Sequence, residues 1–416
     1  MVVASTAPAN AVDVKVSGEY RHSFSTGSDF SGANLEDMRH RMRLNLALAA
    51  SENLSAFVQF QLNHAKQYGT SGKHGDGTIT TRQLYLDWVV PTTAIKVRMG
   101  RQSLGLPEEA FGSNSILGAG YGNREGIVVT APVNDWLGLT GIWARLGTDG
   151  DTDLDTNNTD DIYAVAANLK FEGVSGAVYA AYATLDDLAD GNDQWNAGRP
   201  AGAGDAYWLG FTSTFSFFDP FTLKLSAAYG EFNADDNGKN EQGWNVQVKG
   251  SYALPFGTAV LGGWYFSGED KDGKGYMPNA GYFNGTNHYY DGNLSLATSD
   301  VGYTQNTGTW AVQAGIEDVS FLEDLTHSFH VTYMEGTNDK KNAGKMADED
   351  YAFVNYLTEE DSAVEFTLNS VYKIYKNLAA HLELAYIINE FDNETAKDQG
   401  WTEDNWYASL TFQYKF

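Results

Sequence analysis

The sequence contains no cysteine, which excludes disulfide bonds, thiolate metal sites and cysteine nucleophiles. It also lacks any apolar run close to the roughly 20 residues that a membrane-spanning helix requires. Basic residues are scarce, since 27 lysines and arginines stand against 54 aspartates and glutamates, for a net charge of -27. This balance argues against a nucleic-acid partner, because duplex binding needs a concentrated basic surface. Transmembrane β-strands are not excluded, because each needs only about 9 to 11 residues.

Proline is also rare, with 8 residues, whereas glycine (44) and aromatic residues (13%) are abundant. This composition favours strands joined by turns rather than long helices. A period of two recurs along the chain and is clearest in the last segment, residues 406–416. There, apolar side chains from Trp406 to Phe416 occupy the even positions, while Ser409, Thr411 and Gln413 occupy odd positions. Such alternation indicates strands that bury one face and expose the other.

We count about eighteen such segments, beginning near residues 12, 38, 54, 80, 94, 124, 136, 161, 174, 206, 221, 243, 257, 309, 328, 362, 378 and 404. Short turns alternate with long polar loops between them, and both chain ends lie on the short-turn side. This rhythm predicts an all-β fold, a transmembrane antiparallel β-barrel of about 18 strands with 16 as the alternative, with short periplasmic turns and long extracellular loops. The competing interpretation is a soluble all-β protein, such as a solenoid or a two-sheet sandwich.

Residues 12–416 are predicted to form a single barrel domain, because the texture is uniform and no Pro- or Ser-rich linker interrupts it. Residues 1–11, MVVASTAPANA, are small and apolar and finish on an A-x-A sequence. They are interpreted either as the end of a secretory signal peptide or as a disordered N-terminus.

The C-terminal sequence LTFQYKF ends on Phe416 after apolar residues at every second position, and it resembles the assembly signal of bacterial outer-membrane barrels. The chain after Ala11 resembles the outer-membrane homotrimeric porins. The resemblance implies a bacterial outer-membrane location, contact with the lipid bilayer and lipopolysaccharide, a homotrimer, and small hydrophilic solutes as cargo. General porins typically have sixteen strands. A count of eighteen matches substrate-selective channels that also carry a basic ladder on the wall, so the subtype stays open.

The segment after the fifth predicted strand, residues 101–122, contains the sequence LPEEAFG from Leu106 to Gly112. Its position and its Pro-Glu sequence resemble the constriction loop of porins, which folds into the barrel and narrows the pore. The resemblance implies that Glu108 and Glu109 face the pore, although a Pro-Glu-Glu turn is also a common helix start.

Arginines occupy every second position in the stretch MRHRMRLNLAL, at Arg39, Arg41 and Arg43, and alternate with apolar side chains. On a strand, the reverse orientation would set arginines against hydrocarbon at about 2 to 4 kcal/mol each near the midplane. We therefore predict that these three side chains face the lumen. The same rule turns Lys96 and Arg98 inward, opposite the constriction loop. The alternative places the three arginines at the extracellular rim, bound to loop carboxylates.

Lys224 and Lys249 follow the same rule and are also predicted to point inward. No cofactor is expected, although the acidic loop with Asp149, Asp151, Asp153 and Asp155 predicts at most weak binding of divalent cations, since it lacks the glycine and glutamate of a calcium loop. The aromatic residues around 282–290 are interpreted as packing the longest loop onto the barrel or as stacking on sugars.

The eight histidines form no catalytic grouping, so we expect a protein that is not an enzyme. The expected function is an outer-membrane porin, a water-filled channel for passive diffusion of small hydrophilic solutes with a preference for anions at the constriction. Two alternatives remain. One is a substrate-selective channel for sugars or carboxylates, and the other is a structural or adhesive barrel with a plugged lumen.

Overall fold

The computed structural model describes residues 12–28, 34–62, 79–117, 123–148, 159–185, 203–235, 240–272, 274–275, 277–278, 283, 285–287, 308–341, 357–392, 397 and 404–416. The predicted leader, residues 1–11, and the end of the predicted constriction loop, residues 118–122, lie outside this set. Within the described part of the chain, no helix is long and apolar enough to cross a membrane.

The described residues form eighteen strands. They are β1 (Asp13–Ser28), β2 (Asn34–Ser51), β3 (Leu54–Leu62), β4 (Ile79–Val89), β5 (Lys96–Ser103), β6 (Asn123–Pro132), β7 (Leu137–Thr148), β8 (Thr159–Phe171), β9 (Val174–Leu185), β10 (Gly204–Phe218), β11 (Phe221–Ala234), β12 (Glu241–Leu254), β13 (Gly257–Phe266), β14 (Thr309–Leu322), β15 (Leu325–Gly336), β16 (Ser362–Tyr375), β17 (Leu378–Glu390) and β18 (Asn405–Lys415).

The strands form one closed antiparallel sheet. Each strand pairs with its neighbours in sequence, and β18 pairs with β1 to complete the ring. The predicted barrel of eighteen strands is therefore confirmed, and the alternative of sixteen strands is wrong. The largest boundary difference is in β2, which begins at Asn34 rather than near residue 38. Strand β5 continues to Ser103, so the loop after it begins at residue 104 rather than 101.

The two faces of the sheet have opposite chemistry to those of a water-soluble protein. On β12, the interior side chains Asn245 and Gln247 are completely buried, whereas Trp244 and Val248 point outward and are 44% and 40% exposed. Around the whole ring, large apolar and aromatic side chains form the exposed outer face. A soluble sandwich or solenoid would not expose an apolar band of this size, whereas a barrel in a bilayer requires one.

The barrel closes where its two terminal strands meet. The amide of Gly18 donates a hydrogen bond to the carbonyl oxygen of Phe416 at 2.8 Å, and the amide of Phe416 donates back to Gly18 at 3.1 Å. A β-carbon at Gly18 would overlap the Phe416 ring and the Arg43 carbonyl oxygen. The missing side chain at Gly18 thus lets the C-terminal aromatic ring lie flat across β1.

A Gly18→Val substitution is expected to lower the free energy of unfolding by about 1 to 3 kcal/mol, because it overpacks this junction. Urea unfolding in lipid vesicles, followed by the electrophoretic mobility shift of the unheated barrel, measures the change. The matched control is Gly141→Val on the outer face of β7, where a β-carbon meets nothing within 4 Å. Equal destabilisation by the two substitutions would contradict the packing argument.

Candidate pore-lining site

Arg39, Arg41 and Arg43 lie on the interior face of β2, as the alternation predicts. Arg39 and Arg41 are buried, and Arg43 lies near the middle of the strand. The alternating positions Met38, His40 and Met42 point outward, to the lipid-facing side of the strand. The orientation is as predicted, while a pore-lining role for the three side chains stays a prediction.

One carboxylate binds two arginines at the closing junction of the barrel. Glu19 on β1 accepts a 2.7 Å ion pair from Nε of Arg21 and a 3.0 Å ion pair from Nη2 of Arg41. Gln413 on β18 donates to its second oxygen at 2.6 Å. Arg41 is therefore held by the wall of β1 and β18 and not by a loop carboxylate, which disagrees with the rim interpretation for this residue.

Two further arginines are hydrogen-bonded to neutral groups. Nε of Arg43 donates to Gln61 at 2.8 Å, and Nη1 of Arg82 donates to Gln59 at 3.0 Å. The interior of β1–β4 therefore holds a basic wall, which we define as Arg21, Arg39, Arg41, Arg43 and Arg82, with Glu19 paired to Arg21 and Arg41.

Sequence reasoning missed two members of the basic wall, Arg21 and Arg82, and their neighbour Glu19, for different reasons. Glu19 and Arg21 alternate with Tyr20 on β1, so the parity rule applied to β2 would have found them. Arg82 gave no such signal, because it is the extra residue of a β-bulge. Gln59 pairs with Gln83, while its neighbour Phe60 pairs with Thr81. A bulge shifts the alternation of inward and outward side chains locally, and its position cannot be read from a period of two in the sequence.

Lys96 and Arg98 point inward from β5, as predicted, but both are bound to Asp87 on β4. Arg98 forms two hydrogen bonds to this carboxylate, at 2.7 and 2.9 Å, and Lys96 approaches it at 3.0 Å. The guanidinium of Arg98 also lies over the Tyr85 ring, 4.0 Å from its centroid. Arg98 is thus fixed in place by β4, and its charge is largely compensated.

The loop after β5 packs against the opposite interior wall. Its apolar residues Leu104, Leu106, Ile116 and Leu117 are buried in one cluster with interior side chains of β7–β11. Many of the wall residues in this cluster are alanines, namely Ala144, Ala164, Ala166, Ala181, Ala183, Ala206 and Ala228. These short side chains leave room for the loop, which packs against them inside the barrel, while its role as the constriction stays a prediction.

Glu109 does not line the pore, contrary to expectation. Its side chain is only 2% exposed and is turned toward the wall, whereas the adjacent Glu108 is exposed. Oε1 of Glu109 accepts hydrogen bonds from Ser115 at 2.7 Å and from the Tyr179 hydroxyl at 3.3 Å, and Oε2 accepts one from Gln247. The polar groups of β9 and β12 draw this carboxyl away from the lumen.

Burial raises the pKa of the Glu109 carboxyl to about 7, although hydrogen bonds from Ser115, Gln247 and Tyr179 act in the opposite direction. A buried carboxylate without a cation is costly in a medium of low polarity, so the neutral acid is favoured. Burial therefore favours the protonated form of Glu109 to a higher pH than for an exposed carboxyl group.

Phe111, in the middle of the loop, packs against aromatic side chains. Its ring makes edge contacts with Trp264 at 5.1 Å and with Phe283 at 5.9 Å between centroids. Lys249 on β12 lies 5.8 Å from the same ring and forms a 2.8 Å ion pair with Glu317. The packing interpretation therefore holds for Phe283, while Tyr282, His288, Tyr289 and Tyr290 lie outside the described residues.

Lys224 and Lys249 are cross-strand partners on the interior of β11 and β12. Both therefore point inward, as the alternation predicts. In the closed ring of eighteen strands, β9–β12 lie almost opposite β1–β4. The docked loop and the basic wall thus occupy opposite sides of the interior.

No group of three or more histidine, aspartate or glutamate side chains in the described part of the chain could hold a metal ion. The acidic loop with Asp149, Asp151, Asp153 and Asp155 lies outside that part, so weak cation binding there stays a prediction.

No protein-family model matches the sequence, and no curated protein matches it. Solved structures do resemble the fold. Pseudomonas aeruginosa OpdQ shares 14% identity over 97% of this chain and 99% of its own, with a TM-score of 0.60. P. aeruginosa OpdK with vanillate shares 12% over 97% and 98% (TM-score 0.59), and OccK2 (OpdF) in complex with glucuronate shares 13% over 97% and 98% (TM-score 0.61). These neighbours are outer-membrane porins, so the predicted porin-type fold is confirmed.

An Arg98→Lys substitution is expected to lower the free energy of unfolding by about 1 kcal/mol, because lysine cannot form the paired hydrogen bonds to Asp87 or lie flat on Tyr85. Urea unfolding of the barrel in lipid vesicles measures it. Lys96→Gln serves as the control, since Lys96 makes one contact and its side chain is 44% exposed. A larger effect at Lys96 than at Arg98 would disagree with the geometry.

Proposed function

We propose that this chain forms a porin-type channel in a bacterial outer membrane, through which small hydrophilic solutes diffuse passively. The observation that carries the proposal is the closed ring with an apolar outer face and polar side chains on a large part of its interior. Each strand pairs with a neighbour on both sides, so the sheet has no open edge, which is the condition for a β-structure in lipid. The outer face contacts the bilayer and, in the outer leaflet, lipopolysaccharide.

The position of the constriction loop supports an open lumen, because this loop does not fill the interior of the barrel. From residue 104 to residue 117 the loop lies against β7–β12 and is held there by apolar packing and hydrogen bonds. A loop fastened along one wall narrows a channel and leaves the opposite side free. This argues for a channel over a structural or adhesive barrel whose lumen is plugged.

The basic wall favours anionic solutes. Its five arginines stay charged in a confined space and bind carboxylates through paired hydrogen bonds. Two of the similar structures are described with vanillate and with glucuronate, both of which are carboxylates. A channel selective for small carboxylates is therefore the second candidate, and saturable block of conductance by such a solute would distinguish it from a general porin.

We also propose that three copies assemble through the outer face of β1–β6. Outward tyrosine or tryptophan side chains lie toward the extracellular ends of nearly all strands from β7 to β18. They are Trp143, Tyr163, Tyr182, Tyr207, Tyr229, Trp244, Tyr265, Trp310, Tyr333, Tyr386 and Trp406. Such residues form the interfacial girdle of a barrel that meets lipid. The corresponding half of β1–β6 has neither residue at a described outward position.

Polar side chains take the place of the girdle on that face. His22 and His40 are cross-strand partners on the outer face of β1 and β2, and Arg101 forms a 2.8 Å ion pair with Glu125 on β5 and β6. Polar groups are costly against hydrocarbon and stabilise contacts between membrane segments. A second copy of the chain would cover this face better than lipid does.

Replacing Arg43 and Arg82 together by glutamine is expected to lower the ratio of anion to cation permeability about threefold or more, because two charges leave the wall. Glu19→Gln should raise the ratio, since it removes the carboxylate that compensates Arg21 and Arg41. Reversal potentials of single channels in a salt gradient measure both. The control is Lys340→Gln, which removes an exposed charge paired with Glu360 outside the strands. Unchanged selectivity in the arginine variant would contradict the role of the basic wall.

Leu44→Trp, on the outer face of β2, is expected to convert the unheated protein from a trimer to a monomer, because the larger ring cannot fit between two barrels. Val246→Trp, on the outer face of β12, should leave the trimer intact. Electrophoresis without heating and light scattering in detergent measure the assembly. A monomeric wild type, or the same loss in both variants, would disprove this interface.

A further inference from the structure

The tip of the constriction loop, residues 107–115, is fastened to the barrel wall largely through one side chain. The carboxyl group of Glu109 binds Ser115 within the tip, Tyr179 on β9 and Gln247 on β12. Asn245 on β12 donates to the Ser115 hydroxyl at 2.8 Å, so the same cluster reaches the wall twice. Glu109 is therefore the shared centre of the contacts between tip and wall.

Two backbone contacts depend on this arrangement. The amide of Ala110 donates to the Ser226 hydroxyl on β11 at 3.1 Å, and the amide of Phe111 donates to Gln247 at 3.3 Å. Gln247 thus binds the loop tip through both atoms of its amide group: the oxygen accepts from the Phe111 amide, and the nitrogen donates to Glu109. A change at Glu109 would loosen the next residues along the tip.

No lysine or arginine among the described residues forms an ion pair with this carboxyl group. Every partner that the structure gives Glu109 is a neutral group, and Tyr179 is the only titratable one among them. Charged groups on the surrounding elements include Glu108, exposed on the loop, Lys224 on β11, and Lys249 on β12, which is paired with Glu317. Ionisation would thus place an uncompensated negative charge in a buried site.

We propose that Glu109 is a positioning residue that holds the loop tip against β9–β12 while protonated and releases it into the lumen when it ionises. The proposal rests on the proposed channel function, because the released tip would close the pore intermittently. The apolar residues at the base of the loop, which pack on β7–β11, would stay in place.

The direction of the pH effect follows from the shift in acidity. Burial raises the pKa of Glu109 to about 7 from a usual value of 4.5, so its stabilisation of the docked tip is complete below pH 4.5 and is lost as pH rises through 7. Between pH 4.5 and 7 the ratio of released to docked tips increases by up to about tenfold per pH unit, and it levels off above pH 7, where the carboxyl group is ionised in both states. The channel should therefore be steady near pH 4.5 and should close briefly and more often at pH 8 to 9.

Single-channel recording of the wild type and of Glu109→Gln between about pH 4 and 9 tests this. Glutamine keeps the size and the acceptor oxygen but cannot ionise, so the variant should show no rise in closures across this range. Glu109→Ala should close frequently at every pH. Glu108→Gln, which removes the same charge one residue away on the exposed side, should keep the wild-type pH profile. His330→Gln should also keep it, and this variant removes the histidine that touches Glu317 near the same wall.

Hydrogen exchange of the peptide around Ala110 provides a second readout that does not depend on conduction. At pH 8 to 9 this peptide should exchange faster in the wild type than in Glu109→Gln, and the two should agree at about pH 4.5. A pH profile of closures or of exchange that is the same in wild type and Glu109→Gln would overturn the proposal. If the protein conducts no current but shows the expected difference in exchange, the channel function would be contradicted, and the proposed role of Glu109 in holding the loop tip would stand.

Discussion

Each strand of this protein must place one face against lipid and the other toward the barrel interior, and every backbone group must be paired within the sheet. In lipid, an unpaired amide or carbonyl costs several kcal/mol, so a sheet has to close on itself. The junction of Gly18 with Phe416 completes that closure. With the ring closed, alternation along each strand decides the rest, because one set of side chains faces hydrocarbon and the other faces the interior.

The interior is shaped by side-chain size as much as by charge. Alanines on β8 and β9, including Ala164, Ala166, Ala181 and Ala183, leave space that the constriction loop fills. The opposite side carries long arginine side chains instead. The result is a lumen with an apolar, loop-covered side and a cationic side, which is the asymmetry on which the proposed preference for anions depends.

Much of this arrangement could be predicted from the sequence, because alternate side chains of a strand can face only one of two sides. The eighteen strands, the inward direction of Arg39, Arg41 and Arg43, and the inward fold of the loop all follow from alternation, loop length and the porin resemblance. The bulge that brings Arg82 into the basic wall could not be predicted, since one extra residue breaks the pattern without a marker. The turning of Glu109 toward the wall depends on donors from β9 and β12, which are distant in sequence.

The proposed function requires that the interior of this barrel conducts ions. The most direct measurement is the ionic current through a planar bilayer after addition of the purified protein, with the folded barrel verified by its mobility before and after heating. Discrete, stepwise increases in conductance that persist at low voltage are expected. A folded barrel that inserts into the bilayer and passes no current would contradict the proposed function.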